Sequence, residues 1–87
     1  MSGADAFTAI ADPTRRHLLE ELRRGPKTVN ELAAGLPISR PAVSQHLKAL
    51  LDAGLVFATS SGTRRVYAIE PDGFLNLNLW LDQFWEG

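Results

Sequence analysis

Two histidines and a scatter of serines are the side chains that could carry covalent chemistry in this chain, and their setting argues against it. Ser39, Ser44, Ser60 and Ser61 would each need a base within reach and a site that holds an oxyanion. The sequence has neither a G-x-S-x-G turn nor a glycine-rich phosphate loop. His46, in AVSQHLKAL, falls at the edge of an apolar stripe. It is expected to pack or hydrogen-bond, with phosphate contact the second choice. His17 stands beside Arg15 and Arg16 and reads as a surface or interface residue. Neither histidine has partners at metal-binding spacing. A chain of 87 residues is also short for a deep substrate cleft. We expect no enzyme.

The chemistry that the pattern favours is hydrogen bonding outward from one helix. In RPAVSQHLKALLD, at about 100° per residue, Val43, Leu47 and Leu50 gather on one side. Pro41, Ser44, Gln45 and Lys48 project from the other. Their donors and acceptors lie near the helix N-terminus, the end that reaches base edges when a helix enters a DNA major groove. A merely solvated polar face has the same appearance, so the flanking elements must decide.

Those elements are legible. A first short helix is expected over 4–11, with Phe7 and Ile10 facing inward. Asp12-Pro13 restarts the chain as an N-cap and first-turn pair. The second helix runs to about Arg24, with Leu18, Leu19 and Leu22 on its apolar face, and Gly25-Pro26 ends it. Thr28 with Glu31 three residues later is a capping box for a third helix that buries Val29, Leu32 and Ala33. Gly35-Leu36-Pro37 stops that helix, and Ser39 caps the reading helix, which Gly54 closes. Two helices joined by a tight turn are the layout of a helix-turn-helix.

A hairpin follows: Leu55 to Thr59, a turn at Ser60-Ser61-Gly62-Thr63, and a return strand Arg64 to Ile69. Arg64 and Arg65 beside its tip suit backbone phosphates or a minor groove. Pro71-Asp72-Gly73 breaks the hairpin, and a last helix is expected over 74–85. Phe74, Leu77, Trp80, Leu81 and Phe84 share one face for packing on the domain, while Leu75 and Leu79 lie nearly opposite. A helix apolar on two sides is buried on two sides, so a second protomer is the expected cover for Leu75 and Leu79.

Composition fits. The chain is long enough for one domain, 1–87, and 45% hydrophobic residues allow a small core. There is no cysteine to staple it, so oligomerisation is the remaining aid. The net charge of −1 is uneven. Arg40, Lys48, Arg64 and Arg65 against Asp52 give residues 39–65 a charge of +3, whereas Glu70, Asp72, Asp82 and Glu86 give the last segment −4. The one basic stretch holds the proposed reading helix and hairpin. With no signal-peptide pattern at MSGADAF and no apolar run near the roughly 20 residues that span a bilayer, a soluble, cytoplasmic protein without membrane contact is expected.

ADPTRRHLLEEL, TVNELAAGL, ISRPAVSQHLKALLDAGLV and GTRRVYAI, in that order, resemble the ArsR/SmtB family of bacterial transcriptional repressors over residues 6 to 85. The resemblance implies a homodimer, its interface built from the terminal helices 4–11 and 74–85, that binds double-stranded DNA at an imperfect inverted repeat. On that pattern Ser44, Gln45 and Lys48 face the major groove, with Ser39 and Arg40 at the helix start and Arg64 and Arg65 on a basic wing. The candidate DNA-binding residues are thus Thr28, Ser39, Arg40, Pro41, Ser44, Gln45, Lys48, Arg64 and Arg65. Those at the dimer interface are Phe7, Leu75, Leu79 and Asp82. The chain departs from the family at its metal sites. NELAAGL carries no cysteine or histidine, and the last helix offers Asn76, Asn78, Asp82 and Glu86 without histidine. We therefore assign no cofactor and no metal ligand and expect a member that does not sense metals; any small-molecule or protein inducer is left open. The expected fold is mainly α (α+β), a winged helix-turn-helix of order α-α-α-α-β-β-α. The alternative is a winged-helix protein-interaction module, which would need large apolar side chains on the outer face of the reading helix.

Overall fold

Caps and prolines divide the chain as its composition suggests. The computed structural model describes residues 5–85; residue 4, where the first helix was expected to begin, and Glu86 lie outside them. The Asp5 carboxylate accepts from the Thr8 amide at 2.8 Å and opens α1, Ala6–Ile10. Asp12 Oδ1 accepts from the amides of Thr14 and Arg15 at 2.8 and 3.0 Å, and Pro13 takes the first turn of α2, Pro13–Leu22. Thr28 and Glu31 close a reciprocal capping box on α3, Val29–Ala34. Ser39 caps α4, Arg40–Asp52, by accepting from the Ala42 amide at 3.3 Å. Each such cap is worth about 1 kcal/mol.

The sheet has three antiparallel strands in the order β1-β3-β2. β2 (Val56–Ser61) and β3 (Arg64–Ile69) form the hairpin. β1, Lys27–Thr28, was not expected. It pairs Lys27 with Tyr67 and Thr28 with Val66 and ties the start of α3 to the hairpin. The expected order therefore gains one strand. The hairpin turn is also tighter than expected. Ser60 and Ser61 pair with Arg65 and Arg64, leaving Gly62-Thr63 as a two-residue loop with Gly62 at φ 64°.

α5 spans Pro71–Asp82, three residues earlier than expected. Pro71-Asp72-Gly73 is its first turn, not a linker. Glu70 accepts from the Asp72 amide, and proline at the first helical position lacks only an amide that would have no partner there.

Leu18, Val43, Leu47, Leu50 and Leu55 are fully buried at the centre of the fold. Each contributes about 1.5–3 kcal/mol of apolar burial. Around them pack Leu22 and Leu19 of α2, Leu32 of α3, Val56 and Tyr67 of the sheet, and Leu77 of α5.

Two expected packing faces are corrected. Phe7 does not point inward; it is 43% exposed, and Ala9 is the buried residue of α1. Trp80, Leu81 and Phe84, expected against the domain, are exposed along with Leu75 and Leu79. α5 is anchored by Leu77 and the half-buried Phe74. Further along, α5 meets α1, where the Phe7 and Trp80 rings lie edge to face at 4.9 Å.

Candidate nucleic-acid interface

α4 separates its two faces sharply. Val43, Leu47 and Leu50 are 0% exposed, while Pro41, Ser44, Gln45 and Lys48 all stand in solvent. The hydrophobic side fixes the rotation of the helix, so the polar row is held outward by packing. Lys48 donates to Asp52 at 2.9 Å one turn on. Both side chains are exposed, so the pair is weak and Lys48 can exchange it for another anion.

α3 sets the position of α4. The Thr28 hydroxyl accepts from the Glu31 amide at 3.2 Å, and Glu31 accepts from the Thr28 amide at 2.9 Å. Thr28 is nearly buried with its hydroxyl engaged in this cap, which sets it apart from the exposed candidates. Arg40 Nη1 donates to Asn30 Oδ1 at 2.7 Å, bridging the starts of α3 and α4. Asn30 was missed in the sequence; an exposed asparagine in a first turn carries no pattern that would reveal this bridge.

The hairpin supplies the remaining charge. Arg64 and Arg65 are exposed, and the Arg65 guanidinium lies 5.4 Å from the centre of the Tyr67 ring, which steadies its stem. Thr28, Val29 and Asn30 at the start of α3 and Thr63, Arg64 and Arg65 at the hairpin tip line an open notch of about 350 Å³. The Thr28 amide and hydroxyl hold the Glu31 carboxyl below its usual range, helped by the charges of Arg64 and Lys27. The structure brings Arg40, through Asn30, to the same end of α3 as Arg64 and Arg65.

His46 is half-buried, and its Nδ1 lies 3.4 Å from Arg15 Nη1. His17 sits half-exposed on α2 among Glu20, Glu21, Arg23 and Arg24. Among the described residues no three His, Cys, Asp or Glu side chains are grouped to hold a metal ion. Of the residues expected at a dimer interface, Phe7, Leu75 and Leu79 are exposed, and Asp82 accepts from Asn78 at 3.3 Å.

A tight pair of helices, the second with a polar outer face, followed by a hairpin with basic residues at its tip, defines a winged helix-turn-helix. Residues 12–57 match the model of the arsR family of bacterial regulatory proteins. The chain belongs to that family. It is 55% identical over 80 residues to the HTH-type transcriptional regulator Rv2034 of Mycobacterium tuberculosis, covering 92% of this chain and 75% of that protein. It is 31% identical over 80 residues to the transcriptional repressor SdpR of Bacillus subtilis, covering 92% and 89%. The fold is similar to the homodimeric winged helix-turn-helix DNA-binding domain of Mb0332 from Mycobacterium bovis. The TM-score is 0.72 at 30% identity, over 91% of this chain and 77% of the other. No helix among the described residues is long and apolar enough to cross a membrane.

Proposed function

We propose that the chain acts as a homodimeric repressor that reads an inverted-repeat operator in double-stranded DNA and does so without sensing a metal. One observation carries the reading: Ser44, Gln45 and Lys48 stand outward on α4 while its opposite face is fully buried. In this orientation α4 enters the major groove, with Ser39, Arg40 and Pro41 at its leading end. Arg64 and Arg65 reach the flanking phosphates. Thr28 contributes by capping α3. The polar outer face disfavours the protein-interaction module, which would need apolar anchors there.

The dimer is supported by the exposed apolar surface on α1 and α5, where Phe7, Leu75, Leu79, Trp80 and Phe84 lie uncovered in one chain. The described chain, residues 5–85, acts as one domain, and its terminal helices face the partner. Repression follows the sense of relatives such as SdpR, and the absence of cysteine removes the thiolate ligands of a sulfur-rich sensor. The site of action is the cytoplasm.

Two-fold symmetry then requires half-sites about 34–36 Å apart, or a multiple of that. The test is to select genomic fragments with the protein, footprint the bound duplex and titrate it across a salt series. Protection of an inverted repeat, with affinity falling steeply as salt rises, is expected. Protection without symmetry, or binding indifferent to salt, would overturn the reading. Added zinc, nickel or copper should leave the affinity unchanged.

A further inference from the structure

α1 has five residues, too few to hold together as an isolated helix. Its C-terminal carbonyls are satisfied from the next helix. Arg15 Nε donates to the Ala9 carbonyl at 2.8 Å and Arg15 Nη2 to the Thr8 carbonyl at 3.2 Å. Arg16 Nη1 donates to the carbonyls of Ile10 and Ala11 at 2.8 and 3.1 Å. Two guanidinium groups thus fasten the end of α1, with their positive charge at the favourable pole of the helix.

Arg15 has a third engagement that Arg16 lacks. Its Nη1 lies 3.4 Å from Nδ1 of His46, between Gln45 and Leu47 on α4. A guanidinium has only donors, so Nδ1 accepts and the geometry assigns the ring proton to Nε2. The backbone of Arg15 is itself fixed, because its amide donates to Asp12. Phe7 of α1 in turn meets Trp80 of α5. A contact chain therefore runs from Trp80 through Phe7, α1 and Arg15 to His46, one residue from the polar row on α4.

We propose that Arg15 is a positioning residue that couples the terminal-helix face to the reading helix. Covering Phe7 and Trp80 by a second protomer steadies α1, α1 holds the Arg15 fork, and the fork holds the His46 side chain in place beside the polar row of α4. This rests on the DNA-reading dimer proposed above. Linkage makes the coupling reciprocal: DNA must tighten the dimer by the same factor by which dimer formation tightens DNA binding.

The test uses His46, since Arg15 variants also lose the cap on α1. His46→Asn keeps an acceptor close to the position of Nδ1, and His46→Leu removes it. A duplex selected by the wild-type protein is titrated by fluorescence anisotropy at concentrations where sedimentation finds dimer. His46→Leu should weaken binding by about fivefold or more, with its DNA-free dimerisation constant unchanged. His46→Asn should stay within about twofold of wild type. The tightening of the dimer by DNA should shrink in His46→Leu by the same factor as its DNA affinity. Equal affinities for the two variants would overturn the coupling alone. So would an undiminished tightening of the dimer by DNA in His46→Leu, or a DNA loss explained wholly by weaker dimerisation. A wild-type protein that selects no duplex would overturn the DNA reading and the coupling with it.

Discussion

Gly73, in the first turn of α5, lies directly against the backbone carbonyl of Gly54 in the turn that ends α4. A Cβ on Gly73 would overlap the Gly54 oxygen and stand 2.8 Å from its carbonyl carbon and 3.2 Å from Cδ2 of Leu55. The Glu70 amide donates to the Leu55 carbonyl at 2.9 Å beside this contact. The end of α4, the root of the hairpin and the start of α5 therefore meet backbone to backbone, where the Gly54 carbonyl has little freedom to give way.

Replacing these two glycines should have different consequences. Gly73→Ala must push α5 off the Gly54 turn, an overpacking cost of about 1–3 kcal/mol or more. Gly54 has open space around it but sits at φ 76°, so Gly54→Ala meets only the left-handed backbone penalty of about 1–2 kcal/mol. In a domain of this size each kcal/mol lowers Tm by about 4–8 °C. Thermal melts should rank Gly73→Ala below Gly54→Ala and both below wild type. Gly73→Ala should also weaken the dimer, because it displaces α5.

Acid should unfold the protein partly through its caps. The Arg15 amide, then the Thr14 amide and the charge of Arg15, hold the Asp12 carboxyl below its usual range and outweigh the desolvation that opposes them. Glu31 is lowered by the Thr28 amide and hydroxyl. A folded-state pKa below the unfolded value means that the unfolded chain binds more protons. The stabilisation is complete above the ordinary carboxylate values, 3.8 for Asp12 and 4.5 for Glu31, and is lost as pH falls through the lower folded values. Tm measured from pH 7 down to about pH 2 should drop most steeply below the ordinary carboxylate range near 4. Glu31→Gln, which keeps an acceptor for the Thr28 amide but does not titrate, should flatten that drop. An unchanged slope in Glu31→Gln would remove Glu31 from the account.

Much of this surface was legible from residue spacing because one strong signal fixed it. Ser39 before Arg40-Pro41, with Val43, Leu47 and Leu50 behind, leaves α4 one rotation, and Ser44, Gln45 and Lys48 then have to face outward. Two residues cannot display a period, so β1 was invisible; Lys27 and Thr28 are a strand only because Val66 and Tyr67 lie beside them. The helical wheel put Phe74, Leu77, Trp80, Leu81 and Phe84 on one packing face, yet only Leu77 and Phe74 pack on the domain. It could not tell that the domain is too small to cover the far end of α5. The bridges Asn30–Arg40 and Arg15–His46 join residues 10 and 31 apart, and polar pairs at that range leave no trace in local pattern.

Base readout and phosphate attraction should separate by substitution. Gln45 is exposed on α4, so Gln45→Ala should leave Tm within about 1 °C, as surface changes away from packing do. It should cost about 1–3 kcal/mol against the selected duplex and little against random DNA. Arg64→Ala and Arg65→Ala should weaken both duplexes alike. Each should reduce the slope of log affinity against log salt by about 1. A salt slope unchanged in both arginine variants would remove the wing from the DNA contact, and a large Tm loss in Gln45→Ala would place that residue in the fold.

The apolar far half of α5 gives the last prediction. Leu79 is 59% exposed and Leu75 53%, on a helix that holds to its own domain through Leu77 and Phe74. Burying a leucine that is half exposed in the single chain contributes about 1 kcal/mol or more, and it does so twice across a two-fold axis. A carboxylate at position 79 would remove that gain and add an unpaired charge to the interface. Leu79→Glu should therefore be monomeric by light scattering at micromolar concentration, where wild type should be dimeric. Its single-chain fold should survive, since the substituted side chain is exposed there, and circular dichroism should keep the wild-type helix content. Two independent half-site contacts would then replace one joint contact, and affinity for the inverted repeat should fall toward that for a single half-site. A Leu79→Glu protein that stays dimeric would move the interface off this face and leave the exposed Leu75, Trp80 and Phe84 for another partner.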